Sequence, residues 1–365
     1  MRRGNKVFRV ILVSLIIVIG FIFVYSFKYK QGLSVKVWEN IYNENNIKFF
    51  YSDENDIKIN ILKKTNNVAE KVGNEKDKLK KAINVITILN EVITFDDIQS
   101  TKRVNGVDIL KDKADSKKAS ARDLGIIYRD VLQSLGYTAR VGEFKRINTS
   151  FNKEKSYYVV EYWSKEYNKW IMIDFIDKGY FDNNGFPCSA MELLKTDIRN
   201  LNYTGKTDRK DYIPTLKKVL YTYTINIDNT AEMSNSNTYI TYIKDKKDIT
   251  LKFKDVYLPP TIFTENEELM NKNPIEEIKS QDEKAYIVLM KKQEESSNNK
   301  ESNEFFILGA FKDGKILDEY YIRENNGEFI KVKKYKDVKL TEGSNIIELS
   351  LNGADVTSKI EISFK

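Results

Sequence analysis

One cysteine and no histidine in 365 residues bound the chemistry open to this chain. Nucleophilic relays of the Cys-His or Ser-His kind need an imidazole to take the proton, so they are excluded wherever the partners are drawn. Zinc sites built on imidazole go with them, and one thiolate is too few for a thiolate-only site. Acidic clusters at calcium-ligand spacing are also missing from the sequence, so no cofactor is expected. A lone cysteine closes no disulfide within the chain, and the redox compartment is not legible from it.

Two nucleophiles remain. Cys188 lies in Gly185-Phe186-Pro187-Cys188-Ser189-Ala190-Met191-Glu192, where Ser189 and Glu192 form a capping-box pattern before a helix carrying Met191, Leu194 and Ile198. A thiol beside a helix N-terminus can have a lowered pKa, but no partner base is nameable, and a small apolar residue buried in a turn is the plainer reading. Ser120 stands where the N-cap of a helix starting at Ala121 belongs, and only a lysine such as Lys118 offers it a base. A hydrolase or acyltransferase using Cys188 or Ser120 is thus the alternative to a non-catalytic chain.

The elements that would hold a site centre on Ala121–Arg140. Leu124, Ile127, Tyr128, Val131 and Leu135 recur at helical spacing, Gly136 supplies a stop, and Tyr137–Phe144 alternates like a strand. This unit resembles the core of the transglutaminase-like superfamily, whose papain-type thiol chemistry starts from a cysteine at the N-terminus of such a helix. The family pattern C-R-D-F-A, helix, L-G-I-P-A-R is met here by Ala121-Arg122-Asp123-Leu124-Gly125 and Leu135-Gly136-Tyr137-Thr138-Ala139-Arg140. Downstream, the family's H-A-W-V-E-V and W-x-x-x-D strands are met by Tyr157-Tyr158-Val159-Val160-Glu161-Tyr162 and by Trp170-Ile171-Met172-Ile173-Asp174. The match spans roughly residues 75 to 180.

The resemblance implies a degenerate member: Ala121 at the cysteine position, Tyr157 at the histidine position, and Asp174 keeping the orienting carboxylate. A methyl group cannot replace a thiolate. Tyr157, Trp163 and Asp174 are then candidate ligand-binding residues. Alternation puts Tyr158, Val160 and Tyr162 on one face and Tyr157, Val159, Glu161 and Trp163 on the other, so one face is expected to pack and the other to line a groove for a peptide or cell-wall polymer. Arg140 is expected to pair with Asp123 or Asp174, and Trp170 to close the core.

Val10–Phe27 contains no charged residue. Eighteen residues at helical rise cover about 27 Å, close to a bilayer's hydrocarbon thickness. Arg2, Arg3, Lys6 and Arg9 precede the run, which places the N-terminus in the cytoplasm and the bulk of the chain outside. With no A-x-A-like cleavage pattern behind it, the run reads as a signal anchor, making a single-pass membrane protein. Those four residues account for four units of the formal net charge of +7. The rest is a mixed surface, as in Asp245-Lys246-Lys247-Asp248, and no nucleic-acid partner is expected.

The expected fold class is α+β, in three parts: a membrane anchor over 1–30, a transglutaminase-like domain over 31–205, and an immunoglobulin-like antiparallel β-sandwich over 215–365. In the first third, Ser34–Trp38 and Ile57–Ile61 alternate like strands, and Leu79, Ala82, Ile83, Ile86, Leu89 and Ile93 mark an amphipathic helix. The resemblance makes Asp108–Ala114 the short helix that precedes the nucleophile segment. Residues 200–214 read as a polar hinge ending in Pro214, after which strands follow one another, among them Ile249–Phe253, Lys315–Ile322 and Phe329–Tyr335, with Gln293–Asn303 a polar loop. Richness in Lys, Asn and Ile and the pairing of modules point to a bacterial cell envelope, with binding or scaffolding as the expected work and a peptide, cell-wall polymer or envelope protein as partner.

Overall fold

The computed structural model describes Val18 and residues 33–65, 68–145, 156–246, 249, 251, 259–278, 280–291 and 305–364. The expected anchor Val10–Phe27 lies outside these residues apart from Val18, as do most of the strand expected at Ile249–Phe253 and the loop Gln293–Asn303. Among the described residues no helix is long and apolar enough to cross a membrane.

The fold is mixed α+β around one long sheet. Its strands run Lys315–Ile316, Phe305–Lys312, Tyr286–Lys291, Thr261–Thr264, Tyr239–Tyr242, Thr222–Asn226, Ala139–Lys145, Ser156–Ser164 and Lys169–Ile173, with Lys336–Lys339 pairing onto Phe305–Lys312. Neighbours are antiparallel except Tyr239–Tyr242 with Thr261–Thr264. A second, antiparallel sheet has the order Ser34–Trp38, Val356–Phe364, Gly343–Ser350, Glu319–Glu324, Ile330–Lys333.

Three apolar clusters fix these layers. On one face of the long sheet, Val160, Ile171 and Ile173 pack with Ile127, Val131 and Leu132 of the helix Ala121–Ser134 and with Ala82 and Ile86 of the helix Lys78–Val92. On the other face, Phe144, Val159 and Met172 meet Leu194, Leu216 and Tyr223. The third cluster lies between the two sheets, where Leu289 and Leu308 face Ile347, Leu349 and Ile362. Burial of such side chains is the main favourable term of folding.

Several expectations are corrected. Ile57–Ile61 is helical, within Ile57–Thr65. Its apolar residues fit both periods, but the Asp56 carboxylate accepts from Lys58 N at 3.0 Å, and Ile59 and Leu62 are buried while Ile57 is exposed. The stretch read as a hinge contains the helix Arg209–Lys217, with Pro214 inside it, capped by Asp208 and burying Tyr212, Ile213 and Leu216. The long sheet continues across it, because Thr222–Asn226 pairs with Ala139–Lys145. The sandwich therefore shares a layer with the first half of the chain, and its other layer takes an edge strand from Ser34–Trp38. Lys315–Ile322 divides between the two sheets, and Phe329–Tyr335 breaks at Lys334, whose φ of 59 turns the chain.

Candidate functional site

The helix Ala121–Ser134 starts as its sequence indicates: Ser120 is the N-cap, and its Oγ accepts from Asp123 N at 3.2 Å. The same oxygen lies 2.9 Å from Ser100 Oγ. From Asp123 to Ser134 every residue is buried, including Asp123, whose carboxylate accepts from Thr101 N at 2.9 Å and Thr101 Oγ1 at 3.0 Å. Gly136 ends the helix with φ 80, a conformation that side chains resist.

Strand register decides which face each site residue joins. Tyr157 sits opposite Phe144, Tyr158 opposite Glu143, and Val160 opposite Ile173. Tyr158, Val160 and Tyr162 join the cluster containing the helix, whereas Tyr157 and Val159 join the cluster on the far face. Asp174 follows Ile173 and, by alternation, belongs with Tyr157. The structure thus unites Tyr157 with Asp174 and leaves Ala121 with the helix on the other side of the sheet. Apolar clusters lie on both faces of the strand, while Tyr157 and Trp163 stay half-buried.

Asp174 is fully buried. Its Oδ2 accepts from the hydroxyls of Tyr157 and Tyr212, and its Oδ1 accepts from Ile176 N and Asp177 N at 2.9 Å each. Burial raises its pKa above the ordinary carboxylate value, and the four donors oppose that rise. The hydroxyls of Tyr157 and Tyr212 are driven far above the usual phenol value, chiefly by burial and then by the charge of Asp174. Next to them, Tyr203 stacks on Tyr212 with ring centroids 4.0 Å apart and donates to Asp177, which also accepts from Thr207 N at 3.0 Å. Trp163 is half-buried, packed edge-on against Trp170 at 5.6 Å.

Arg140 pairs with neither Asp123 nor Asp174. It faces Glu161 across the ladder, and its Nε and Nη2 donate to Glu161 Oε2 at 2.9 and 2.6 Å. Directly opposed residues on neighbouring strands are the closest partners a sheet provides, and both of these are buried. Met270 O takes a further Nη2 bond at 2.7 Å, and the guanidinium lies 4.0 Å over the ring of Trp170, which is buried as expected. Glu161 is completed by Tyr223 Oη at 2.7 Å and by Ala190 N at 2.8 Å.

Cys188 is buried, its Sγ 3.9 Å from Phe186 O. Burial, with Glu192 adding to it, pushes the thiol up to about 11, so little thiolate exists at neutral pH. The capping box of Ser189 and Glu192 is present. Among the described residues no group of His, Cys, Asp and Glu could hold a metal ion. What the cluster at Asp174 offers is a satisfied carboxylate under phenols that stay protonated. Sequence reasoning missed Tyr203 and Tyr212; the signal for the latter was Asp208 ahead of Tyr212, Ile213 and Leu216, a cap before a helical stripe.

No protein family matches the chain, and no curated protein does. Among solved structures, a transglutaminase from red sea bream is similar at 8% identity and a TM-score of 0.29, over 88% of this chain and 77% of that one. Likeness at that level does not establish a shared fold.

Proposed function

We propose that this chain is a non-catalytic scaffold of the bacterial cell envelope. In this reading an N-terminal anchor crosses the membrane once, and the extracytoplasmic part joins a degenerate transglutaminase-like layer to an immunoglobulin-like sandwich. Its partner is an envelope protein. The observation that carries the reading is Asp174, the carboxylate that the resemblance makes an orienting group. A carboxylate has about four acceptor sites, and here four donors engage it under full burial, which leaves neither access nor capacity for chemistry.

The nucleophiles support the same reading. Cys188 is a buried thiol with a raised pKa, Ser120 is engaged as a cap, and no histidine exists to activate either. A ligand groove at Tyr157 has lost its support, since that hydroxyl points into a filled core; this favours a protein partner over a peptide or cell-wall polymer.

Photo-crosslinking in intact cells from exposed positions such as Tyr221 tests the proposal. It should recover an envelope protein, while peptidoglycan fragments give no saturable binding to the full chain. Protease added outside intact cells should digest the part beyond Phe27. Amide hydrolysis or amine transfer that disappears in Cys188→Ala or Ser120→Ala would overturn it.

A further inference from the structure

A cleft of about 420 Å³ opens between the helices Ile57–Thr65, Lys78–Val92 and Gly106–Asp112, within the range of small-ligand pockets. Leu62 and Ile93, both buried, form its floor, and Ile61, Val92 and Leu110 its walls. Ile61 is 42% exposed and Val92 37%, so this apolar lining is wet. Covering it would remove apolar surface from water, which is favourable.

Three lysines complete the lining: Lys111, Lys113 and Lys117. Among the described residues none of them is in an ion pair. Of the acids around them, Asp108 is engaged by Lys58 at 2.9 Å and Asp112 by Arg103 at 2.7 Å, while Asp115, between Lys113 and Lys117 in sequence, is exposed and, among the described residues, in an ion pair with neither. Lys111 and Lys117 are exposed, whereas the Leu62 and Ile93 floor is buried. The Lys117 backbone is pinned, with φ 52 and its carbonyl accepting from Thr94 N at 3.0 Å.

We propose that this cleft binds a single-chain anionic amphiphile, an aliphatic carboxylate of the fatty-acid type. The chain lies against Leu62, Ile93 and Leu110, and the carboxylate sits among Lys111, Lys113 and Lys117. An apolar body alone would leave three cations unused, and a small anion alone would leave the apolar walls in water. The cleft shares no residue with the cluster at Asp174, so it stands or falls independently of the scaffold reading.

The test is calorimetric titration of the full chain, held in uncharged phosphatidylcholine nanodiscs, with dodecanoate below its micelle concentration; empty discs supply the blank. Dodecanoate should bind saturably at one per chain, and dodecanol about tenfold more weakly. Charge reversal at the three lysines should weaken dodecanoate about tenfold without changing the circular dichroism. Leu110→Trp, which fills the cleft, should abolish binding. Absence of saturable binding, equal affinity for dodecanol, or indifference to both variants overturns the proposal. So does a chain that ignores dodecanoate yet binds anionic vesicles through the same lysines, since that outcome assigns them to a membrane surface.

Discussion

The hydroxyls of Tyr157 and Tyr212 lie 3.2 Å apart and both donate to Asp174 Oδ2. One comes from a strand and the other from the helix Arg209–Lys217, so the carboxylate joins two elements distant in sequence. A buried acceptor that loses a donor bears its desolvation cost, and bonds to charged groups contribute about 1.5–3 kcal/mol. Tyr157→Phe and Tyr212→Phe should each lower stability by about that much in urea titration. The double variant should deviate from additivity by about 0.5–3 kcal/mol, because the two donors share one oxygen. Additive losses would mean that the hydroxyls act separately.

Asp174 also gives stability a pH dependence of known sign. Its pKa is raised in the folded chain, mainly by burial, so the folded state holds its proton more tightly than the unfolded one. The contribution is fully present below the unfolded carboxylate value of about 3.9 and is lost as pH rises through the folded value. The stability of the natural chain relative to Asp174→Asn should therefore fall as pH rises from about 4. Comparing the two removes the opposite trend of exposed carboxylates such as Asp112, whose pKa Arg103 lowers. A difference flat across pH would show that Asp174 titrates alike in both states.

Local signals made the central helix legible: its stripe from Leu124 to Val131 is buried, Ser120 caps it and Gly136 ends it. Tyr157 and Asp174 were brought together by the resemblance to the transglutaminase-like strands and not by any local signal. Local signals did not reveal that apolar clusters pack on both faces of Val159–Tyr162, although a strand apolar on both sides is the mark of two-sided burial. Tyr212 was hidden because polar residues and Pro214 dominate its surroundings, and tertiary contact outweighs that composition. The pairing of Ser34–Trp38 with Val356–Phe364 has no local signal, since strands so far apart in sequence share no short-range pattern.

Arg140 and Glu161 form an ion pair with both members buried. Removing one partner strands a charge in the interior, which costs about 3–5 kcal/mol, whereas replacing both by apolar groups of similar size is often close to neutral. Arg140→Met should thus be severely destabilising in urea titration, and Arg140→Met with Glu161→Leu should recover part of the loss. Recovery should be incomplete, because Tyr223 Oη and Ala190 N also lose their acceptor. Equal loss in both variants would place the cost in packing against Trp170.

Gly142 tests how closely that pair is enclosed. A Cβ built there would lie 2.0 Å from the Tyr223 hydroxyl and 2.5 Å from its ring, nearer than non-bonded atoms approach. Tyr223 is fully buried and tied to Glu161 at 2.7 Å, so it has no room to withdraw without breaking that bond. Gly142→Ala should cost about 1–3 kcal/mol, the usual range for overpacking, despite alanine's lower conformational entropy in the unfolded chain. Shortening the neighbour in Gly142→Ala with Tyr223→Leu should make the pair less damaging than the sum of the single changes, read from thermal midpoints. A simple sum would mean that the strand shifts to admit the methyl group and that Tyr223 does not set the limit.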